Sequence, residues 1–305
     1  MTISVMITTR NRADDLAVTL KALTRLRPQP DEVLVTLDGC TDLSRQVVET
    51  LWPDAKVIEN RAGLGSIPAR DHMLREAKSD LVLSLDDDSY PLDEDFLARA
   101  ALFFEQDSSL AVLWFPQRSE EFPASLAQAD FGSDQRTGSY PSSGALIRRS
   151  TYLALPGYCT AFGHAYEEPD YSLQCIAAGQ YVRLHTGLLI RHHYSGTNRN
   201  EVRIHHQHSR NECWSVLMRC PWPTLPFVLL RRAAGQFLYA CRRGPRWIVR
   251  EPLWWAQAIR GAPRIMTGRS PLPYDGYRRW RALIRRPAPG ESRATSPTPT
   301  VAAVD

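Results

Sequence analysis

Four short segments rich in apolar and β-branched residues alternate with amphipathic ones between residues 2 and 88, and no other feature of the chain narrows its fold so far. ISVMITT, EVLVTLD, KVIEN and DLVLSLDD read as strands, because they have no helical period. Between them, ADDLAVTLKALTRL sets Leu16, Leu20 and Leu23 at helical spacing, with acids in its first turn. DLSRQVVETLW reads as the next helix. IPARDHMLREAK is a third, with Pro68 near its start, where a missing N–H costs little. Strand–helix alternation with short connections predicts an α/β fold, with a mostly parallel sheet and helices on both faces. Ligands of such sheets bind at the carboxyl ends of the strands.

The fourth strand ends in Asp86, Asp87 and Asp88. Three adjacent carboxylates repel one another, and a divalent cation relieves the repulsion. Mg²⁺ or Mn²⁺ suits oxygen ligands and commonly bridges a few carboxylates to substrate phosphates. The alternative is a solvated acidic turn.

Further on, LAVLWF reads as a strand, and residues 117 to 143 as a polar, turn-rich, flexible loop. GALIRRSTYLAL reads as strand into helix. EEPDYSLQCIAAG reads as a helix with acids in its first turn and Gly179 as its stop. QYVRL and GLLIRHHYS read as strands. HHQH, residues 205 to 208, is placed on a helix surface. After residue 200 the chain becomes Arg- and Trp-rich, with helices broken by prolines. Residues 203 to 293 hold 18 Arg and no Lys against 4 acids, while the remainder is net acidic. Three regions are expected: an α/β domain over 1–200, a basic helical region over 201–286, and a disordered tail over 287–305.

Several motifs then fall in one order. ISVMITTRNRADDLAVTLKAL, VTLDGCTD, GLGSIPARDHML, SLDDDSYP, GALIRRSTYLALPGY and YEEPDYSLQCIAAGQYVR together resemble the family 2 glycosyltransferases. These are inverting enzymes with the GT-A fold, and the likeness is strongest to bacterial rhamnosyltransferase-like members. It covers roughly residues 2 to 215. It implies a nucleotide-sugar donor and a glycan or lipid-linked glycan acceptor. Asp88 would hold the metal, with Asp86 and Asp87 beside the nucleotide, and Thr8, Thr9, Arg10, Asp38 and Arg70 would line the donor. A carboxylate of the acidic helix would take the acceptor's proton. Glu168 stands where relatives carry Asp, with Glu167 and Asp170 as alternatives. His192 or His193 would complete the metal site. Leu37 departs from the pattern, standing where relatives often carry a first Asp.

Other classes fit less well. TTRNRADD has no glycine, which argues against a Rossmann dehydrogenase and equally against the Gly-rich phosphate loop of a nucleotidyltransferase. An inactive, membrane-associated binding protein is the remaining rival. No nucleic-acid-binding module is visible. The opening residues lack a signal-peptide pattern, and the six cysteines form no C-x-x-C pair, so a cytoplasmic chain with reduced thiols is expected. The segment from Pro221 to Gly261 is apolar but interrupted by arginines, and it holds Trp247, Trp254 and Trp255. It predicts helices lying against the inner face of the plasma membrane rather than crossing it. The competing expectation is that the tryptophans pack on the catalytic domain.

Overall fold

In a computed structural model of the protein, residues 1–194 and 200–284 are described. The tail expected at 287–305 lies outside them, as do Ser195 and Gly196 of HHYSG.

The first half follows the expected alternation: β1 (Ile3–Thr9), α1 (Ala13–Leu23), β2 (Glu32–Asp38), α2 (Ser44–Leu51), β3 (Lys56–Asn60), α3 (Ser66–Glu76) and β4 (Leu81–Asp86). Next come β5 (Ser89–Pro91), α4 (Phe96–Gln106), β6 (Leu110–Trp114), β7 (Gln117–Ser119), β8 (Gln135–Thr137), β9 (Ala145–Arg148) and α5 (Arg149–Ala154). The acidic helix α6 (Glu167–Ala177) precedes β10 (Tyr181–Leu184) and β11 (Ile190–His192). The remainder is helical: α7 (Glu201–Arg219), α8 (Leu225–Arg243), α9 (Pro245–Ile248), α10 (Glu251–Thr267) and α11 (Tyr274–Ile284).

Eight strands form one sheet in the order β3-β2-β1-β4-β9-β6-β10-β8. The first four are mutually parallel, and β9 enters antiparallel between β4 and β6. Strand pleating decides which core each residue joins. Ile3, Val5 and Ile7 of β1 and Leu81, Leu83 and Leu85 of β4 face one helical layer, while Met6 and Val82 face the other. Both faces are therefore covered, which is why these strands read as continuous apolar runs. Leu37 is buried in the first of these cores, so at that position the chain has a packing residue rather than a carboxylate.

Three expectations need correction. Residues 117 to 143, expected as a polar, turn-rich, flexible loop, contain β7, β8 and a 3₁₀ turn at Pro123–Leu126. Their backbone is satisfied locally: Arg118 donates to the carbonyls of Ser125, Leu126 and Gln128, and Ser125 Oγ accepts from the Ser119 N–H. His205 and His206 are buried rather than on a helix surface. His205 Nε2 lies 2.9 Å from Glu251 Oε1, and internal pairs of this kind hide an interior helix behind a polar sequence. Trp254 is also interior, 1% exposed, and its Nε1–H donates to Glu251 Oε2. Trp247 is half-buried with its ring 5.3 Å from that of His205, which leaves Trp255 alone of the three on the surface.

Helices α7 and α10 share one of the two sheet cores, while α8 and α11 pack in a smaller cluster with α6 and α7. Trp214, Met218 and Ile265 join the cluster that holds Val82 and Ile147. Trp280 of α11 donates to the Gly138 carbonyl. No described helix is long and apolar enough to cross a membrane.

Candidate active site

The three aspartates leave β4 and turn at once into β5. Asp87 and Asp88 are buried, and buried carboxylates need counter-charge or protons. Arg12, in the turn between β1 and α1, supplies it. Its Nη1 is 2.7 Å from Asp87 Oδ1 and its Nη2 2.5 Å from Asp88 Oδ2. Burial, opposed by Arg12 and reinforced by the neighbouring aspartates, pushes the Asp87 carboxyl up to about 7. Burial would raise Asp88 too, but hydrogen bonding and charge from His192, together with Arg12, hold it below the usual carboxylate range.

A second, three-stranded sheet, β5-β11-β7, brings in the histidine. Pairing of β11 with β5 sets His192 opposite Ser89, directly beyond the aspartates. His192 Nδ1 is 3.1 Å from Gln117 Oε1, and Nε2 is 3.1 Å from Asp88 Oδ1. With Gln117 assigned so that its oxygen accepts, Nδ1 carries hydrogen and Nε2 is turned toward a carboxylate oxygen. In the neutral ring two lone pairs would then face each other unless a proton or cation lies between them. Burial lowers the His192 pKa, and Asp88 outweighs it, so the net direction is up. One donor atom from each of Asp86, Asp88 and His192 lies within 4.8 Å of the others. Two carboxylates and an imidazole suit Mn²⁺, and also Mg²⁺ with further oxygens from substrate, so the residues fit a divalent ion. His193 takes no part in this set. Its N–H donates to the Asp88 carbonyl, and its ring Nε2 faces Asp15 at 3.3 Å.

Arg70 joins the aspartates to α6. It is buried, with Nη1 donating to Glu167 Oε1 at 2.8 Å and Nη2 paired with Asp86. One guanidinium thus spans the strand end and the acidic helix. Glu168 is half-buried, and its Oε1 accepts from the Ser142 N–H at 3.3 Å. Burial raises both glutamates, and Arg70 favours charge on Glu167. Burial and repulsion from Glu167 push Glu168 up to about 8. Asp170, the other acid of this turn, meets α7. Its oxygens accept from Ser215 Oγ at 2.6 Å and Gln174 Nε2 at 2.8 Å, with Arg219 at 3.3 Å. It anchors α6 to α7. Asn211 of α7 adds to that anchoring by donating to the carbonyls of His164 and Ala165, just before the left-handed Tyr166 that begins α6.

The wall beside β2 is built by Asp38, both of whose oxygens accept from backbone N–H groups, of Leu64 and Gly65. Arg10 is exposed and lies against Gly63 of the same loop, while Thr8 and Thr9 are buried at the end of β1. Gly65 has φ +102° and ψ 161°, a conformation nearly confined to glycine, and a Cβ there would stand 2.2 Å from the Gly163 carbonyl oxygen. Gly65→Ala should therefore destabilise the fold by about 2 kcal/mol or more, read from denaturant unfolding. Wild-type stability would show that this loop does not need the close approach.

Sequence reasoning missed Arg12, Gln117 and Asn211. The run of three acids demanded a buried cation, and Arg12 in RNR was available to answer it. Nothing local marked Gln117 or Asn211.

Arg70 thus joins a strand-end acidic cluster to an acidic helix beside the central sheet. Residues 4–162 match the model of glycosyl transferase family 2, and the chain belongs to that family. The "Uncharacterized glycosyltransferase YwdF" of Bacillus subtilis (strain 168) is 26% identical over 185 residues, 57% of this chain and 68% of that protein. Among solved structures, the mannosyltransferase PcManGT from Pyrobaculum calidifontis, in complex with GDP-Man and Mn²⁺, aligns with a TM-score of 0.55 at 17% identity, covering 88% of this chain and 83% of that one. S. aureus TarS 1-349 in complex with UDP-GlcNAc gives 0.54 at 15% identity, over 93% and 92%. At these identities the structural likeness is one of fold, and the fold is GT-A.

Proposed function

We propose that the protein is an inverting glycosyltransferase that moves a hexosyl or deoxyhexosyl group from a nucleoside-diphosphate donor to a glycan or lipid-linked glycan hydroxyl. The observation that carries the reading is Arg70, whose guanidinium reaches both Asp86 and Glu167 and so holds Glu168 beside the strand-end carboxylates. Asp88 and His192, with Asp86, would hold Mn²⁺ or Mg²⁺, which when bound supplies positive charge for the departing diphosphate. Arg12 and Arg70 add fixed positive charge in the same cleft. Thr8, Thr9 and Arg10 line the nucleotide side, and Asp38 keeps the loop at Leu64 and Gly65 in place as its wall. Glu168 takes the acceptor's proton as the hydroxyl attacks the anomeric carbon, on the face away from the leaving diphosphate. Its raised pKa suits a base that gains a proton in the transition state. The resemblance to rhamnosyltransferase-like members is the reason to include deoxyhexosyl donors.

A thermal-shift panel of UDP-, dTDP- and GDP-sugars, with and without Mn²⁺, tests the reading. One donor class should raise the unfolding temperature only with the metal, and that donor should be consumed in the presence of acceptor glycans. A protein stabilised by no nucleotide-sugar, with or without metal, would overturn it.

A further inference from the structure

Helix α8 carries apolar residues on two sides, where a helix packed on one side needs only one such stripe. Leu225, Val228 and Ala240 face inward. Phe227, Leu230, Phe237 and Leu238 recur at helical spacing on the outside, Phe227 and Leu230 being 73% and 71% exposed. Helix α10 repeats the arrangement. Trp254 and Ile265 are buried, whereas Leu253, Trp255 and Ile259 lie outside, Ile259 74% exposed. The two outer stripes meet, because the rings of Phe237 and Trp255 are 6.0 Å apart. Adjoining exposed apolar side chains on two helices mark an interaction surface.

Charge decides what it fits. Residues 221 to 270 hold nine arginines and a single acid, Glu251. Glu251 is buried against His205 and Trp254, so it does not offset the arginines at the surface. Arg242, Arg246, Arg250, Arg260 and Arg264 are exposed. A second copy of the chain would bring a like-charged face against this one, at a cost in repulsion. An anionic bilayer accepts both components: apolar side chains enter the acyl boundary while arginines reach the headgroups. We infer that the outer faces of α8 and α10 dock on an anionic phospholipid surface, lying in the interface. The inference uses none of the donor-site residues and stands apart from the reading of that site.

Vesicle flotation of the full chain tests it. The protein should float with phosphatidylcholine vesicles containing about one-third phosphatidylglycerol, remain unbound with phosphatidylcholine alone, and be released as salt is raised. Phe227→Ser with Ile259→Ser should reduce partitioning about tenfold or more, since two large apolar contacts are lost. The unfolding temperature and its shift by donor should stay at wild-type values, because both side chains already face water. Arg246→Glu with Arg250→Glu should weaken binding to the anionic vesicles. Wild type that ignores anionic vesicles at low salt overturns the inference, as do variants that float like wild type. A concentration-dependent dimer that Phe227→Ser with Ile259→Ser dissociates would also overturn it, by assigning the face to a second copy.

Discussion

Asp88→Ala is expected to lower sugar transfer by about 10³-fold or more, the loss that follows when several kcal/mol of charge stabilisation at the leaving diphosphate are removed. Asp88 is the centre of the acidic cluster: Arg12 lies on one of its oxygens and His192 on the other. Mn²⁺ affinity, measured by calorimetry, should fall in the same variant. His192→Ala should also weaken the metal, while His193→Ala should not, because His193 faces Asp15. Metal binding should weaken as pH falls, since a proton on His192 Nε2 competes for the position facing Asp88. Asp88→Ala with wild-type turnover in the presence of a chelator would sink the metal assignment. Equal losses from both histidine variants would sink the choice between them.

Glu168→Gln is expected to cost about 10²-fold or more in turnover, with donor binding nearly unchanged, because the amide keeps the shape but takes no proton. The sign of the pH dependence follows from the raised carboxyl. Below about 8 Glu168 holds its proton and is no base, so in the free enzyme kcat/KM should rise with pH through that region. The variant should lose that limb of the profile. Asp170→Asn should behave differently. It removes the charge partner of buried Arg219, and breaking a buried pair costs about 3–5 kcal/mol. The folded fraction should fall while turnover per folded molecule holds. If instead Glu168→Gln turns over normally and Asp170→Asn folds but is dead, the base lies on the other side of α6.

The acidic helix illustrates how far a sequence can be read. Its acids and its place in the chain are legible in EEPD, and so is the expectation that one of them is the base. Which one is not, because Glu168 and Asp170 are two residues apart, about 200° around the helix. One therefore meets Ser142 and the cleft while the other meets Ser215 and Arg219 of α7. The HHQH stretch misled for a related reason. Hydropathy treats a histidine paired with a buried Glu251 and one bathed in water alike.

The alternation of apolar periodicities determined the parallel half of the sheet, its helices, and the exit of Asp86, Asp87 and Asp88 at the carboxyl end of β4, because strand and helix periods are properties of neighbouring residues. The insertion of β9 between β4 and β6 was decided only in three dimensions, since nothing in ALIR states which strands will flank it. The same holds for the histidine that joins the acidic cluster. His192 and His193 are adjacent in sequence, and the pairing of β11 with β5 and β7 turns one toward Asp88 and Gln117 and the other toward Asp15. Arg12 and Arg70 become counter-charges only when buried carboxylates arrive from β4 and α6. Local pattern fixes which face a residue takes, but the charge or lone pair it meets there comes from distant chain, and only packing brings the two together.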